Sequence, residues 1–487
     1  MKAYEVVIIG SGFSGICSAI KLLENKIENF VILERDDSLG GTWWKNSYPG
    51  AAVDVPSHLY SFSFEPYDWT RLFAKQEEIL AYTNLLIDKN RLKEKSRCKV
   101  SIEKLVYQEN IGLWNVYLSN QEVIQTQFVI SGTGSLSQAN IPTIEGLDQF
   151  QGACFHSSNW DTNYEYKDKR IAVVGTGASA VQLIPELAKK ANKIHILQRT
   201  AHWILPRPDR PLRNWERKLL KIKFFNKFFR GLSYVKSESR AIFFTKIPSL
   251  AKLVRLEGLH HLKKQVKDQS IREKLTPSYD IGCKRILLTN DYYPTLQKEN
   301  VELITKVIES ITTTGIRFTD QSTIDLDLIV LATGFHASEN AIPFQVQGKQ
   351  GISLEDSWKD GAYAYYGTMV SNFPNLFFAM GPNTGTGHTS VIYFIESQLR
   401  YIMDAIKKSK KNNWKSIEIK PAVEKRFNQN LQKALKGTIW QKGACSSWYL
   451  TEAGKNTTMY PNFSFIFRHN TRRFDKQKHL TIPAQKL

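Results

Sequence analysis

Residues 5–15 read EVVIIGSGFSG. Four β-branched residues in a row, closed by a glycine, suit a short strand buried on both faces over residues 5–9. Gly10 makes the turn tight. Gly12 lets backbone N–H groups approach a pyrophosphate, and Gly15 lets the next helix, residues 16–23, pack close to the strand. The N-terminus of that helix then faces the phosphates. Moving outward, residues 30–33 form the next strand and Glu34 ends it, where an acid can bond ribose hydroxyls. Three glycines alone would be a weak signal. Strand, glycines, helix, strand and acid in that order are a strong one.

The same arrangement recurs downstream. Residues 171–174 are a buried strand, Gly175 and Gly177 make the turn, and Ala180 takes the place of the third glycine. A helix over 181–189 and a strand over 193–197 follow. This second unit ends in Gln198-Arg199-Thr200 rather than in an acid. An acid there would repel a 2′-phosphate, whereas Arg199 would bind one. The first site therefore suits the ADP half of FAD and the second suits NADPH.

Other segments fill in the frame. Residues 36–54, DDSLGGTWWKNSYPGAAVD, form a glycine- and proline-rich loop where a ligand crevice is expected. Trp43 and Asp54 would sit over a flat ring. Alternating segments within 99–127 predict hairpin strands, and residues 127–130 lead into a small-residue crossover over 131–134. Residues 212–269 are helical in composition, broken by Gly231 and Pro248. Residues 325–334 end in Ala-Thr-Gly, where Gly334 marks a close-approach turn. Residues 376–379 read as a strand, followed by a glycine-rich turn and a helix over about 391–406. The expected fold is α/β with two dinucleotide-binding, Rossmann-like domains, the NADPH domain inserted into the FAD domain. The first part of the FAD domain spans 1–140. The NADPH domain spans 141–335, with a helical insertion over about 207–275, and 336–487 hold the second FAD part and a C-terminal tail.

Composition sets limits. At 487 residues with 42% hydrophobic content, the chain can bury a large core. It has no run of about eighteen apolar residues, so a transmembrane helix is not expected. The start runs straight into a functional strand, so no cleavable signal is expected either. The five cysteines, Cys17, Cys98, Cys154, Cys283 and Cys445, form no CxxC. That spacing argues for a reducing, cytoplasmic setting and against structural zinc, a dithiol centre or any metal site. The net charge is +20, and residues 207–255 hold 14 basic against three acidic residues, a local excess of 14 − 3 = +11. A solvated helical face is the favoured explanation, with its aromatics in the core. A basic amphipathic helix making weak membrane-surface contact is the alternative, and no nucleic-acid partner is expected.

The stretch joining the two units, residues 150–161, reads FQGACFHSSNWD. Its Phe150, Gly152, His156, Trp160 and Asp161 resemble the fingerprint of the type I Baeyer–Villiger monooxygenases, a family within the flavin-containing monooxygenase superfamily. The Gly40-Gly41-x-Trp43, Tyr48-Pro49-Gly50 and Asp54 pattern is similar to that family's second signature. Residues 373–390 resemble the superfamily's closing flavin-contact segment, and residues 445–461 a lid-side feature of bacterial relatives. The resemblance implies that Arg285 is the active-site arginine and Lys284 a partner of the NADPH 2′-phosphate. It also implies that Gly152, His156, Trp160 and Asp161 couple conformations rather than transfer protons.

The implied activity is oxygenation of a ketone by O2 to an ester or lactone, through a peroxide on the flavin C4a. Thioethers are an alternative small-molecule substrate. Arg285 cannot lose its proton, so it can favour the peroxide anion and hold the oxyanion of the adduct at any working pH. Asp54 would orient it through a charge-assisted hydrogen bond. The rivals are an N- or S-oxygenating enzyme of the same fold and an uncoupled NADPH oxidase.

Overall fold

The computed structural model describes residues 2–336, 342–443, 445 and 447–484. The first sheet is built around the strand Lys2–Ile9 (β1), which pairs in parallel with Phe30–Leu33 (β2) and, on its other side, with Val123–Ser131. Ser96–Arg97 (β3) extends the β2 edge, while Ile102–Gln108 (β4), Leu113–Leu118 (β5) and Val123–Ser131 (β6) form an antiparallel meander. Side chains of β1 alternate between two cores, as the two-residue strand period requires. Val6 and Ile8 pack with Phe13, Ile16 and Ile20 of the helix Phe13–Glu24 (α1). Val7 and Ile9 pack with Trp114, Val116 and Phe373 on the opposite face. Burying each such side chain contributes roughly 1.5–3 kcal/mol, so the central strand is fixed from both sides.

The second sheet is five-stranded and wholly parallel. Its strands are Ala153–His156 (β7), Arg170–Val174 (β8), Lys193–Leu197 (β9), Val301–Ile304 and Leu328–Leu331. A separate parallel pair, Ile204–Leu205 (β10) and Leu287–Leu288 (β11), joins the chain just after Arg199 to the chain just after Arg285. With Val301–Ile304 as β12 and Leu328–Leu331 as β13, the five-stranded order is β12-β9-β8-β13-β7. The chain then returns to the first sheet. Gln345–Gln347 (β14) pairs with β4, and Leu376–Phe378 (β15) pairs with β6. The first sheet is thus made from both ends of the chain, with the second domain inserted between them.

The helix Ala178–Leu187 (α2) follows β8 as α1 follows β1. Asn214–Leu220 (α3), Lys223–Ser239 (α4) and Ala251–Gln265 (α5) form the helical insertion. Gly231 does not break it: α4 runs through Gly231, whose missing side chain would meet nothing within 4 Å. The break comes at Pro248, where 242–250 turns irregularly, as a residue lacking an N–H demands. Nor are all of the insertion's aromatics core residues: Phe244 is buried in a core cluster, but Phe224, Phe228 and Phe229 are exposed. Val391–Lys411 (α6) closes the first sheet against α1, and Ser464–Asn470 (α7) packs on α6. Among the described residues no helix is long and apolar enough to cross a membrane, and no cluster of His, Cys, Asp or Glu could hold a metal ion.

Candidate active site

The first glycine turn is a cradle. Gly10 has φ +89°, and a Cβ on Gly15 would lie 1.9 Å from Gly10 O, so only glycine lets α1 approach β1 this closely. The N-terminal turn of α1 carries no acid. Glu34 is buried at the end of β2, where Oε2 accepts from Ser11 N at 2.8 Å and from Ser11 Oγ at 2.6 Å. The acid and the turn are therefore already in register. Gly41 presses on Gly12, because a Cβ there would come within 2.6 Å of Gly12 Cα. This sets the one-turn helix Thr42–Lys45 over the cradle. Trp43 is buried and donates from Nε1 to Tyr60 Oη at 3.1 Å, whereas Trp44 is exposed.

The loop continues to the domain boundary. Gly50 sits against α2, where a Cβ would lie 2.4 Å from Gln182 O. Tyr48 Oη donates to Gln182 Oε1 at 2.9 Å, and Gln182 Nε2 donates to Ala52 O at 3.0 Å. Gln182 of the second domain thus holds the loop of the first. No sequence signal marked it, because its partners lie more than a hundred residues away.

Four residues past Gly50, Asp54 meets Arg285. Asp54 Oδ2 accepts from Arg285 Nε at 2.8 Å and from Nη2 at 2.5 Å. About a third of each side chain stays open to the crevice, 36% for Arg285 and 37% for Asp54. Asp54 raises the guanidinium's already high pKa; burial opposes this, and Tyr449 and Tyr60 assist it. Tyr449 and Tyr60 are pushed up to about 12, mainly by burial, so both phenols stay neutral. A second arginine, Arg207, is half-buried near the pair and donates from Nη2 to Val53 O at 2.9 Å. Tyr449, Tyr60 and Arg207 reach the site only through the fold.

The second glycine turn is built like the first. Gly175 has φ +108°, Gly177 caps α2 with open space above it, and Ala180 is buried under the turn. A Cβ on Gly175 would lie 2.6 Å from Ala332 O, so the Ala-Thr-Gly turn that ends at Gly334 lies against this site. Arg199 is exposed and has no ion-pair partner among the described residues. Lys284 is near enough that burial first, and then Arg199, lower its pKa. Burial and Lys284 together push His202 down to about 4. Cations gathered without a carboxylate are a receptor for a dianion, and His202 stands beside Lys284 as a neutral imidazole that the sequence did not announce.

The joining stretch plays another part. Gly152 packs where a Cβ would strike the Phe150 ring and Asp327 O, at 2.5 and 2.7 Å. His156 lies on β7, the outer strand of the second sheet, opposite Leu331. Its Nδ1 accepts from Ser158 N at 3.1 Å, its ring meets Phe335 edge-on, and burial lowers its pKa. Trp160 packs edge-on to Phe155, and Asp161 is exposed, accepting from Asn163 N. None of the four hydrogen-bonds to Arg285 or Asp54 among the described residues.

The tail straps the site. Asn383 N donates to Thr457 O and Gly385 N to Thr458 O, both at 2.8 Å, so residues 456–459 lie along the glycine-rich turn. A cavity there is lined by Gly134, Ser135, Met380, Thr384, Gly385 and Thr458. Cys283, beside Lys284, is joined by a disulfide to Cys445 of the tail. The cysteine spacing had pointed away from such a bond; 162 residues separate the partners, and only folding brings them together.

Both cradles fit a dinucleotide: close helix–strand packing, bare backbone at the turn, and an acid in one and cations in the other. The family described as pyridine nucleotide-disulphide oxidoreductase matches residues 7–224. A protein of Pseudomonas aeruginosa named Baeyer-Villiger monooxygenase is 44% identical over 98% of this chain and 91% of its own. One of the same name from Streptomyces coelicolor is 38% identical over 99% and 94%. The crystal structure of OTEMO in complex with FAD and NADP superposes with TM-score 0.89 at 27% identity, covering 99% of this chain and 100% of that one.

Proposed function

The chain belongs to the Baeyer–Villiger monooxygenases and is an FAD- and NADPH-dependent flavoprotein monooxygenase, and on that premise we propose that it converts a ketone to an ester or lactone with Arg285 and Asp54 at the reacting centre. NADPH supplies two electrons, one atom of O2 enters the ketone's carbon–carbon bond, and the other leaves as water. FAD, when bound and reduced, supplies the oxygen-activating chemistry. The Arg285–Asp54 pair is the observation that carries the assignment.

Arg285 holds a permanent positive charge in a crevice. Asp54 takes the Nε and Nη2 donors on a single oxygen, which fixes the guanidinium plane. The Nη1 donors keep no protein partner among the described residues, so they are free to hold an oxygen-centred anion as it forms. Neutral Tyr60 and Tyr449 wall the pair without competing for charge. Gly10, Gly12, Gly15, Glu34 and Trp43 are assigned to FAD, and Gly175, Gly177, Ala180, Arg199, Lys284 and Gly334 to NADPH. Gly152, His156, Trp160 and Asp161 are assigned to coupling the two domains, which their place at the sheet edge supports. The use of NADPH supports a cytoplasmic setting.

The test is NADPH-driven turnover of the flavin-loaded protein on linear, cyclic and aryl ketones and a thioether, under labelled O2. Esters or lactones carrying one labelled oxygen are expected. Sulfoxide with no ester across the panel would move the assignment to heteroatom oxygenation, and hydrogen peroxide alone would remove oxygen transfer.

A further inference from the structure

Residues 213–256 carry a surface that this chemistry does not use. Helix α4 has its apolar residues outward. Phe224, Phe228, Leu232 and Val235 recur at intervals of four, four and three, so they share one stripe. All are exposed, Phe224 by 71% and Val235 by 64%. The opposite side of α4 holds the protein. Arg230 Nη1 donates to His58 O at 2.5 Å, Ser233 Oγ lies 2.6 Å from His58 Nε2, and Tyr234 stacks on Tyr393. Leu250, Leu253 and Leu256, in and before α5, are exposed as well. More than half of the large apolar side chains exposed among the described residues fall in this stretch.

The charge is as one-sided as the apolar stripe. Glu216 is taken by Arg210, and Glu238 is buried against Ser464 and His388. Lys218, Lys223, Lys227, Lys236, Arg240 and Lys252 are exposed and have no ion-pair partner among the described residues. At 3.6 residues per turn, Lys227 and Lys236 flank the stripe on its two sides. Monomeric proteins rarely leave so much apolar surface open without a partner for it.

We propose that α4 docks in the plane of an anionic membrane surface, its apolar stripe among the acyl chains and its flanking lysines at the lipid phosphates. Apolar burial and attraction to anionic headgroups are the two contributions that hold such a helix. A nucleic acid would use the lysines and leave the stripe uncovered. A second copy of the chain would bring the unpaired cations face to face. The docking does not depend on the reaction proposed above. It would, however, hold the site beside a bilayer in which apolar ketones dissolve, because α4 is fastened to His58 on the loop that carries Asp54.

The test is co-sedimentation of the full chain with phosphatidylcholine vesicles containing phosphatidylserine, against phosphatidylcholine alone. Salt-sensitive binding to the anionic vesicles is expected. The triple change Phe224→Ser, Phe228→Ser and Leu232→Ser should weaken it by at least roughly tenfold. Lys223→Gln, Lys227→Gln and Lys236→Gln together should weaken it by about a hundredfold at low salt. An unchanged thermal midpoint shows that each variant is folded. Three results would overturn the proposal: no vesicle binding by the wild type, binding indifferent to the serine substitutions, or light scattering showing a dimer that those substitutions dissolve. Retention on duplex DNA in place of vesicles would assign the lysines to nucleic acid instead.

Discussion

Asp54 and Arg285 stand 231 residues apart in sequence and meet across the crevice between two domains, with Arg285 Nε and Nη2 both donating to Asp54 Oδ2. Each domain contributes one half of the pair, so the cation is in place only when the domains are docked. Gln182, bonded to Tyr48 and Ala52, holds that docking.

Arg285→Ala removes the fixed charge. Ester formation should fall by about 10²–10³-fold, the usual loss for one oxyanion donor, while bound FAD is unchanged. Asp54→Asn keeps the shape but weakens the orientation, and should fall less. Product quantified by mass spectrometry, alongside the flavin absorbance, checks both.

Arg199→Ala and Lys284→Ala should each raise KM for NADPH and leave KM for NADH nearly unchanged. A hydrogen bond to a charged group contributes roughly 1.5–3 kcal/mol, and exposed Arg199 belongs at the low end, so about a tenfold rise is expected there. Steady-state kinetics with the two nucleotides distinguish this from a general loss of folding.

Gly15→Ala places a methyl where Gly10 O already stands. The helix must move from the strand, and the cradle opens. FAD content, read as the ratio of flavin to protein absorbance, should drop by roughly tenfold or more, since an overlap of this kind costs more than the ~1.4 kcal/mol that a tenfold change represents.

His58, His202 and His479 are each lowered to about 4, in every case first by burial. Between pH 6.5 and 4 the unfolded chain binds protons at these sites that the folded chain refuses. Stability should therefore fall as pH drops through that window, by up to about 3 kcal/mol per histidine. His479 is the clearest case. Its Nδ1 donates to Asp475 O and its Nε2 accepts from Tyr401 Oη, so a second proton would force the latter bond to turn around, with Nε2 donating to the phenol oxygen in a buried site. His479→Gln should flatten the pH dependence of the urea midpoint.

The Cys283–Cys445 disulfide closes a loop of 162 residues. Cys445→Ser, or treatment with a dithiol reductant, should lower stability by roughly 2–4 kcal/mol and expose the tail to limited proteolysis. A cytosolic thiol pool would oppose the bond, so the wild type should respond to reductant and the serine variant should not.

Much of this protein is local and was therefore legible in the sequence. The glycine turns, the β-branched strands that precede them, Glu34 and Arg199 each follow from the chemistry of a few adjacent residues, and the chain's resemblance to a known family added Asp54, Arg285 and Lys284. What lay beyond the sequence is long-range. Gln182 as a domain clasp, Tyr449 and Arg207 near the ion pair, His202 beside Lys284, and the disulfide all depend on which distant segments pack together. The outward turn of α4 is of the same kind: an amphipathic pattern fixes that a helix has two faces, and only packing against His58, Tyr393 and Ser464 decides which of them meets water.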